Sequence, residues 1–262
     1  MSHLSYSIDD RVATLTLDNP PQNRIDEQVA DELAEAVDAV GRSDARAVLL
    51  RAGGADFSFG GDIVPWPDLG TRELRTLFER HMSAFNRLER LPLPVIAAVQ
   101  GVCVGGGFEL ALRADVIFAS ESARFGHPEQ SIALVTLLGG IYRVAERAGR
   151  SRAAEWALTS EQVPAAVMAA AGVVNRVVAD AALLDEATAF AQRVANGPTR
   201  AHAAHKALLR AWAVGGVAAA DEAMFDIALP LFETEDVKTK LPAAVEALEA
   251  GRPRPAFDFQ GR

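Results

Sequence analysis

The apolar positions of this chain follow two different spacings. Val12 to Leu17 alternates β-branched or small residues with leucines, which reads as a strand. Val29, Leu33, Val37 and Val40 recur at helical spacing behind Asp26, a good N-cap side chain, and predict a helix. Ala47–Leu50 and Val95–Val99 are short continuous apolar runs, the pattern of strands covered on both faces. Leu69 to Leu91 is helical in pattern and is ended by Pro92 and Pro94. From Arg143 onward the pattern is mostly helical, and residues 164–220 are alanine-rich, which favours closely packed helices over disorder. Strands early and helices late predict an α/β domain followed by a helical region.

Composition narrows the class of protein. At 262 residues the chain is long for one domain, but α/β folds of this size are common. Half of its residues are hydrophobic, and no linker-like tract, repeat or low-complexity segment divides it. Met1-Ser-His-Leu-Ser-Tyr6 does not read as a signal peptide, and no apolar run is long enough to span a bilayer. A single cysteine, Cys103, rules out an internal disulfide and suits a reducing, cytoplasmic compartment. Its place in Val102-Cys-Val104 reads as a buried small hydrophobe rather than a nucleophile. A net charge of -9 argues against nucleic-acid binding, but the local field of a cleft still allows an anionic substrate.

Candidate chemistry lies at three glycine-bearing junctions that follow apolar runs. They are Phe57-Ser-Phe-Gly-Gly-Asp-Ile63, Val104-Gly-Gly-Gly-Phe-Glu109 and Phe125-Gly-His-Pro-Glu129. Consecutive glycines suit a tight turn or a close approach to backbone amides. Amides at a helix start, with the positive dipole end behind them, receive a negative oxygen. Glu109 follows within one turn, so amide donors and a proton-moving carboxyl fall together. Other nucleotide and hydrolase signatures are missing: no Gly-Lys-Ser/Thr follows the glycines, and neither Gly-x-Gly-x-x-Gly nor Gly-x-Ser-x-Gly occurs. His202 and His205 have metal-binding spacing but no evident third ligand, so no metal site is expected. His127 stands two residues before Glu129, where it either tunes that glutamate or packs beside it.

These motifs, in this order, resemble the crotonase, or enoyl-CoA hydratase/isomerase, superfamily over nearly the whole chain. The resemblance also draws on Val12-Ala-Thr-Leu-Thr-Leu-Asp-Asn-Pro-Pro-Gln-Asn23, Pro94-Val-Ile-Ala-Ala-Val-Gln-Gly101, Phe232-Glu-Thr-Glu-Asp236 and Phe259-Gln-Gly-Arg262. It implies a crotonase-type ββα spiral over residues 1–195. A C-terminal helical region, residues 196–262, would pack on the core or on a neighbouring subunit of a homotrimer or dimer of trimers. It implies an acyl-CoA substrate and no cofactor beyond the CoA that the substrate carries. Glu109 and Glu129 match the family's catalytic glutamates, and Gly61 and Gly106 its oxyanion-hole amides. Gly60, Asp62, Ile63, Val64, Arg24 and Trp66 would meet substrate. Turn capping is the simpler reading of Asp62, local packing explains Trp66 as well, and Arg24 suits a solvated surface equally. The implied reaction is addition of water across an enoyl-CoA double bond. The alternatives are isomerisation with one glutamate, or acyl-CoA binding without catalysis.

The chain departs from the family's pattern after Glu129. Ala133 and Thr136 stand where glycine and proline are usual, whereas Gly139, Gly140 and Arg143 match. Gly61 replaces a usual alanine, and Arg24 a usual small residue. The tail lacks the lysine often found near CoA phosphates, a place that Arg252 or Arg254 would have to fill.

Overall fold

The computed structural model describes residues 2–262. A hairpin of β1 (Leu4–Asp9) and β2 (Val12–Leu17) leads to α1 (Glu27–Gly41) and β3 (Ala47–Ala52). Helix α2 (Thr71–Arg90), β4 (Val95–Val99), β5 (Val102–Val104) and the short α3 (Gly106–Ala111) follow. Then come β6 (Val116–Ser120), β7 (Arg124–Gly126), α4 (Gly140–Ala148), α5 (Arg150–Thr159) and β8 (Val163–Pro164). The chain continues through α6 (Ala165–Ala170), β9 (Arg176–Val178), α7 (Leu183–Ala195), α8 (Thr199–Ala228) and α9 (Glu235–Glu249). The large sheet runs β1-β2-β3-β4-β6-β9, parallel throughout except for the β1–β2 hairpin. A small second sheet, β5-β7-β8, stands beside it.

The continuous apolar strands are explained by two cores, one on each face of the large sheet. Side chains alternate across a strand. Val48 and Leu50 of β3, with Val95, Ala97 and Val99 of β4, point into the larger core shared with α1 and α2. Ala47, Leu49, Ile96 and Ala98 point the other way, against Leu183, Ala187, Ala191 and Ala195 of α7. Those four α7 residues recur every fourth position, and three are alanines, so the helix lies close on the sheet.

Three features go beyond the sequence expectations. First, the expected Val12 strand is preceded by another, β1. Only Leu4 of β1 is buried, so no apolar pattern marks it. It forms because Asp10 and Arg11, at φ 42° and 65°, close a two-residue hairpin that matches Asp9 with Val12. Second, the stretch after Arg143 is mostly helical, as its pattern predicts, and also carries two short strands. The two-residue β8 and three-residue β9 exist only because β7 and β6 offer them partners. Third, α8 contains a break, since Gly215 and Gly216 leave helical geometry inside it. Cys103 is buried, as expected, and burial pushes its thiol well above the usual value. Among the described residues no helix is long and apolar enough to cross a membrane.

Candidate active site

The site forms where the chain leaves one sheet for the other. β4 belongs to the large sheet and β5, two residues later, to the small one. β5 delivers the chain to the glycine run at the start of α3. Gly105 adopts φ 51°, ψ -131°, a conformation that a residue with a β-carbon resists. Gly107 is glycine for lack of space, because a β-carbon there would lie 2.4 Å from Cβ of Ser58.

Ser58 begins the second wall. Its hydroxyl donates to the Asn23 carbonyl at 2.6 Å and accepts from Gly60 N–H at 3.1 Å. The Asn23 side chain in turn donates to the carbonyls of Gly53 and Asp56. Ile25 N–H donates to the Gly60 carbonyl and Asp62 N–H to the Ile25 carbonyl. The Gly60–Asp62 turn is thereby held between β5 and the Asn23–Ile25 segment. Ser58 and Asn23 lie within motifs quoted from the sequence but were given no role there, because their contribution is contact across the fold.

This anchoring brings the two expected amides together. A β-carbon on Gly106 would lie 3.3 Å from Gly61 N, and one on Gly60 would lie 3.3 Å from Gly106 N. Both glycines line one cavity of about 420 Å³, and neither N–H is taken up by the ladder or turn bonds around it. Glu109, Glu129, Gly60, Asp62, Ile63, Arg24 and Trp66 line the same cavity. Val64 does not, and at 75% exposure it faces solvent beside the entrance turn. The remaining wall is mostly apolar and includes Leu77, Phe78, Leu134, Leu137 and Leu138. Trp66 packs edge-on against Phe78 at 5.1 Å, so packing and pocket lining are the same contact. Arg24 is held by Gln22, its Nε donating to Oε1 at 2.9 Å. Asp62 accepts weakly from Val64 N–H at 3.4 Å, in keeping with turn capping.

The two glutamates differ in how they are held. Glu109, 2% exposed, accepts from Leu138 N–H and Gly140 N–H, both at 2.8 Å and both on Oε1. Burial raises its carboxyl to about 7 against the pull of those amides, and the nearby Glu129 charge adds to the rise. Glu129 sits on a 3-10 turn, Pro128–Ile132, and its buried Oε2 has no hydrogen-bond partner among the described residues. Burial raises its carboxyl too. The pair therefore favours keeping a proton over carrying two charges. His127 packs close to Glu109. Its ring lies 5.0 Å from that of Phe108, and a β-carbon on Gly140 would lie 2.5 Å from its Cε1 and 2.9 Å from Cγ of Glu109. Burial pushes the imidazole down to about 4, so it is neutral at ordinary pH.

Both departures in the loop after Glu129 have structural counterparts. Ala133 takes up φ 61°, ψ 30°, the left-handed conformation that glycine serves elsewhere. Thr136 Oγ1 accepts from Ile141 N–H at 3.2 Å and so caps the first turn of α4. Among the described residues no cluster of three potential metal ligands exists, at His202 and His205 or elsewhere.

Comparison with known proteins agrees with this architecture. The enoyl-CoA hydratase/isomerase family matches residues 7–251. A short-chain-enoyl-CoA hydratase of Clostridium acetobutylicum is 31% identical over 243 residues, 90% of this chain and 92% of its own. The 1,2-epoxyphenylacetyl-CoA isomerase of Escherichia coli (strain K12) is 34% identical over 209 residues, 76% of this chain and 78% of its own. The crystal structure of an enoyl-CoA hydratase subunit I from Geobacillus kaustophilus HTA426 superposes with TM-score 0.89 at 29% identity, covering 99% of this chain and 98% of that one. The chain belongs to the enoyl-CoA hydratase/isomerase family and has the crotonase fold.

Proposed function

We propose that this enzyme adds water to the α,β double bond of an enoyl-CoA. The observation that carries the reading is the meeting of a buried carboxyl, a half-buried one and two backbone amides free of ladder and turn bonds on one largely apolar cavity. The amides of Gly61 and Gly106 hold the thioester oxygen. Glu109, fixed through Oε1, takes a proton from water at its other oxygen as the hydroxide adds to the β-carbon. The electron pair of the double bond moves onto the thioester oxygen, and the two N–H groups stabilise that enolate. Removing one such donor typically costs about 3 kcal/mol of transition-state stabilisation. Glu129 gives its proton to the α-carbon, and transfer between the two carboxyls resets the site.

Isomerisation is the second reading, supported by the freer setting of Glu129. Its unpartnered Oε2 suits a carboxyl that carries a proton between carbons alone. The two reactions separate by substitution. General acid-base groups contribute about a hundred- to ten-thousandfold, so a hydratase loses turnover on that scale with either Glu109→Gln or Glu129→Gln. Turnover that survives Glu109→Gln and vanishes with Glu129→Gln assigns the isomerase instead.

Assembly as a homotrimer or dimer of trimers belongs to the same proposal. The chain exposes 13719 Å², against about 11,000 Å² for a compact monomer of this size. Trp212, Val217, Phe225, Leu229, Phe232 and Leu248 of the C-terminal segment are among the exposed apolar side chains. Such a surface is the kind that partner subunits cover.

A further inference from the structure

We infer that Arg113, Glu89 and Arg143 form a clamp that positions Glu109, an inference that rests on the assignment of Glu109 as the base. The turn Leu138-Gly139-Gly140 is engaged from both sides. On its amide side Leu138 N–H and Gly140 N–H hold Glu109 Oε1. On its carbonyl side the guanidinium of Arg113 donates to the Leu138 carbonyl, and Arg143 Nη1 to the Gly139 carbonyl at 3.2 Å. Glu109 and Arg113 are four residues apart, one within α3 and the other just past its end. The segment that supplies the carboxyl therefore also supplies the group that fixes the amides receiving it.

Glu89, on α2, ties the two arginines together. Its Oε2 accepts from Arg113 Nη1 at 3.0 Å and from Arg143 Nη2 at 2.6 Å, and its Oε1 accepts from Arg143 Nε at 2.8 Å. Burial alone would raise the Glu89 carboxyl. The bonds and charges of Arg143 and Arg113 overcome that and hold it below its usual value. The Arg113 side chain is fully buried, and Asn86 Oδ1 accepts from the same Nη1 that meets Glu89. A buried guanidinium without a carboxylate partner is strongly unfavourable, so Glu89 is what allows Arg113 to sit behind the turn. None of the three side chains is among the residues lining the substrate cavity. They act through the turn, as positioning residues.

The test is Glu89→Gln, a substitution at a partly exposed side chain that keeps the volume. Its direct electrostatic effect has a known sign. Losing the Glu89 charge, and leaving Arg113 less compensated, stabilises the Glu109 carboxylate and moves the acidic limb of kcat/KM to lower pH. Loosening the clamp withdraws the two amides from Glu109 and moves that limb to higher pH. A clamp thus gives a limb shifted upward and a kcat reduced up to about a hundredfold with KM for a short enoyl-CoA nearly unchanged, the scale typical of a misplaced catalytic group. An unshifted limb, or one shifted downward with kcat retained, overturns the inference. If Glu89→Gln does not fold, Arg143→Lys is read by the same two quantities against Arg143→Met, and the lysine must recover part of kcat. Full kcat in both variants overturns the inference. Glu109→Gln, assayed in parallel, separates the two levels: if it retains turnover, the assignment of Glu109 as base fails, whatever the clamp variants show.

Discussion

Glu109→Gln isolates what burying this carboxylate costs the fold. In the native protein burial raises the carboxyl from 4.5 to about 7. At about 1.36 kcal/mol per pKa unit, that gap is roughly 3 kcal/mol. The native state binds this proton more tightly than the unfolded chain does. Below pH 4.5 both states hold the proton and there is no penalty. As pH rises from there to about 7 the unfolded chain gives up its proton first, and stability falls. Above 7 both are ionised and the full penalty stands. A glutamine keeps an oxygen for Leu138 N–H and Gly140 N–H but carries no charge, and it relieves Glu129 of a neighbour that also disfavours its ionisation. Thermal unfolding of the substrate-free protein should therefore show no gain near pH 4 and a gain approaching 3 kcal/mol at pH 8. That corresponds to about 6–12 °C in Tm for a chain of this size. The same variant should lose at least about a hundredfold in turnover. A Tm that is unchanged or lower at pH 8, or a gain independent of pH, refutes the account of Glu109 as a group held against burial.

Other consequences follow from individual positions. Activity limited by the free enzyme's Glu109 carboxylate should fall as pH drops through about 7, read as the acidic limb of kcat/KM. Ala133→Gly should relieve the left-handed backbone at φ 61° and stabilise by up to about 1 kcal/mol in denaturant titrations, and a loss of stability would contradict the strain. Gly107→Ala should destabilise by about 1–3 kcal/mol, because its β-carbon would sit 2.4 Å from Cβ of Ser58 in a packed core. Phe225→Asp should lower the molar mass seen by light scattering if the exposed C-terminal apolar surface joins subunits, whereas an unchanged mass places the interface elsewhere.

What the sequence alone determined were the features carried by local chemistry. Asp26 accepts from Val29 N–H at the start of α1, as an N-cap before that periodicity must, and Pro92 and Pro94 stand just beyond α2. The buried runs of β3 and β4 were legible because both faces of the sheet are covered, leaving no position for a polar residue. The glycine junctions were legible because few other residues fit turns so tight. Tertiary structure decided the rest. β1 carries almost no apolar signal, and β8 and β9 are too short to show a period, so only their pairing partners bring them into being. Taken alone, Glu109 can be read from the sequence as a solvated or capping residue of a first helical turn. It becomes a buried acid only because a turn thirty residues later closes over it with two amides. Arg113 and Glu89 look like ordinary surface charges at helical spacing. Their meeting behind that turn follows from how α2, α3 and α4 pack, because a long-range contact leaves no periodicity in the chain that makes it.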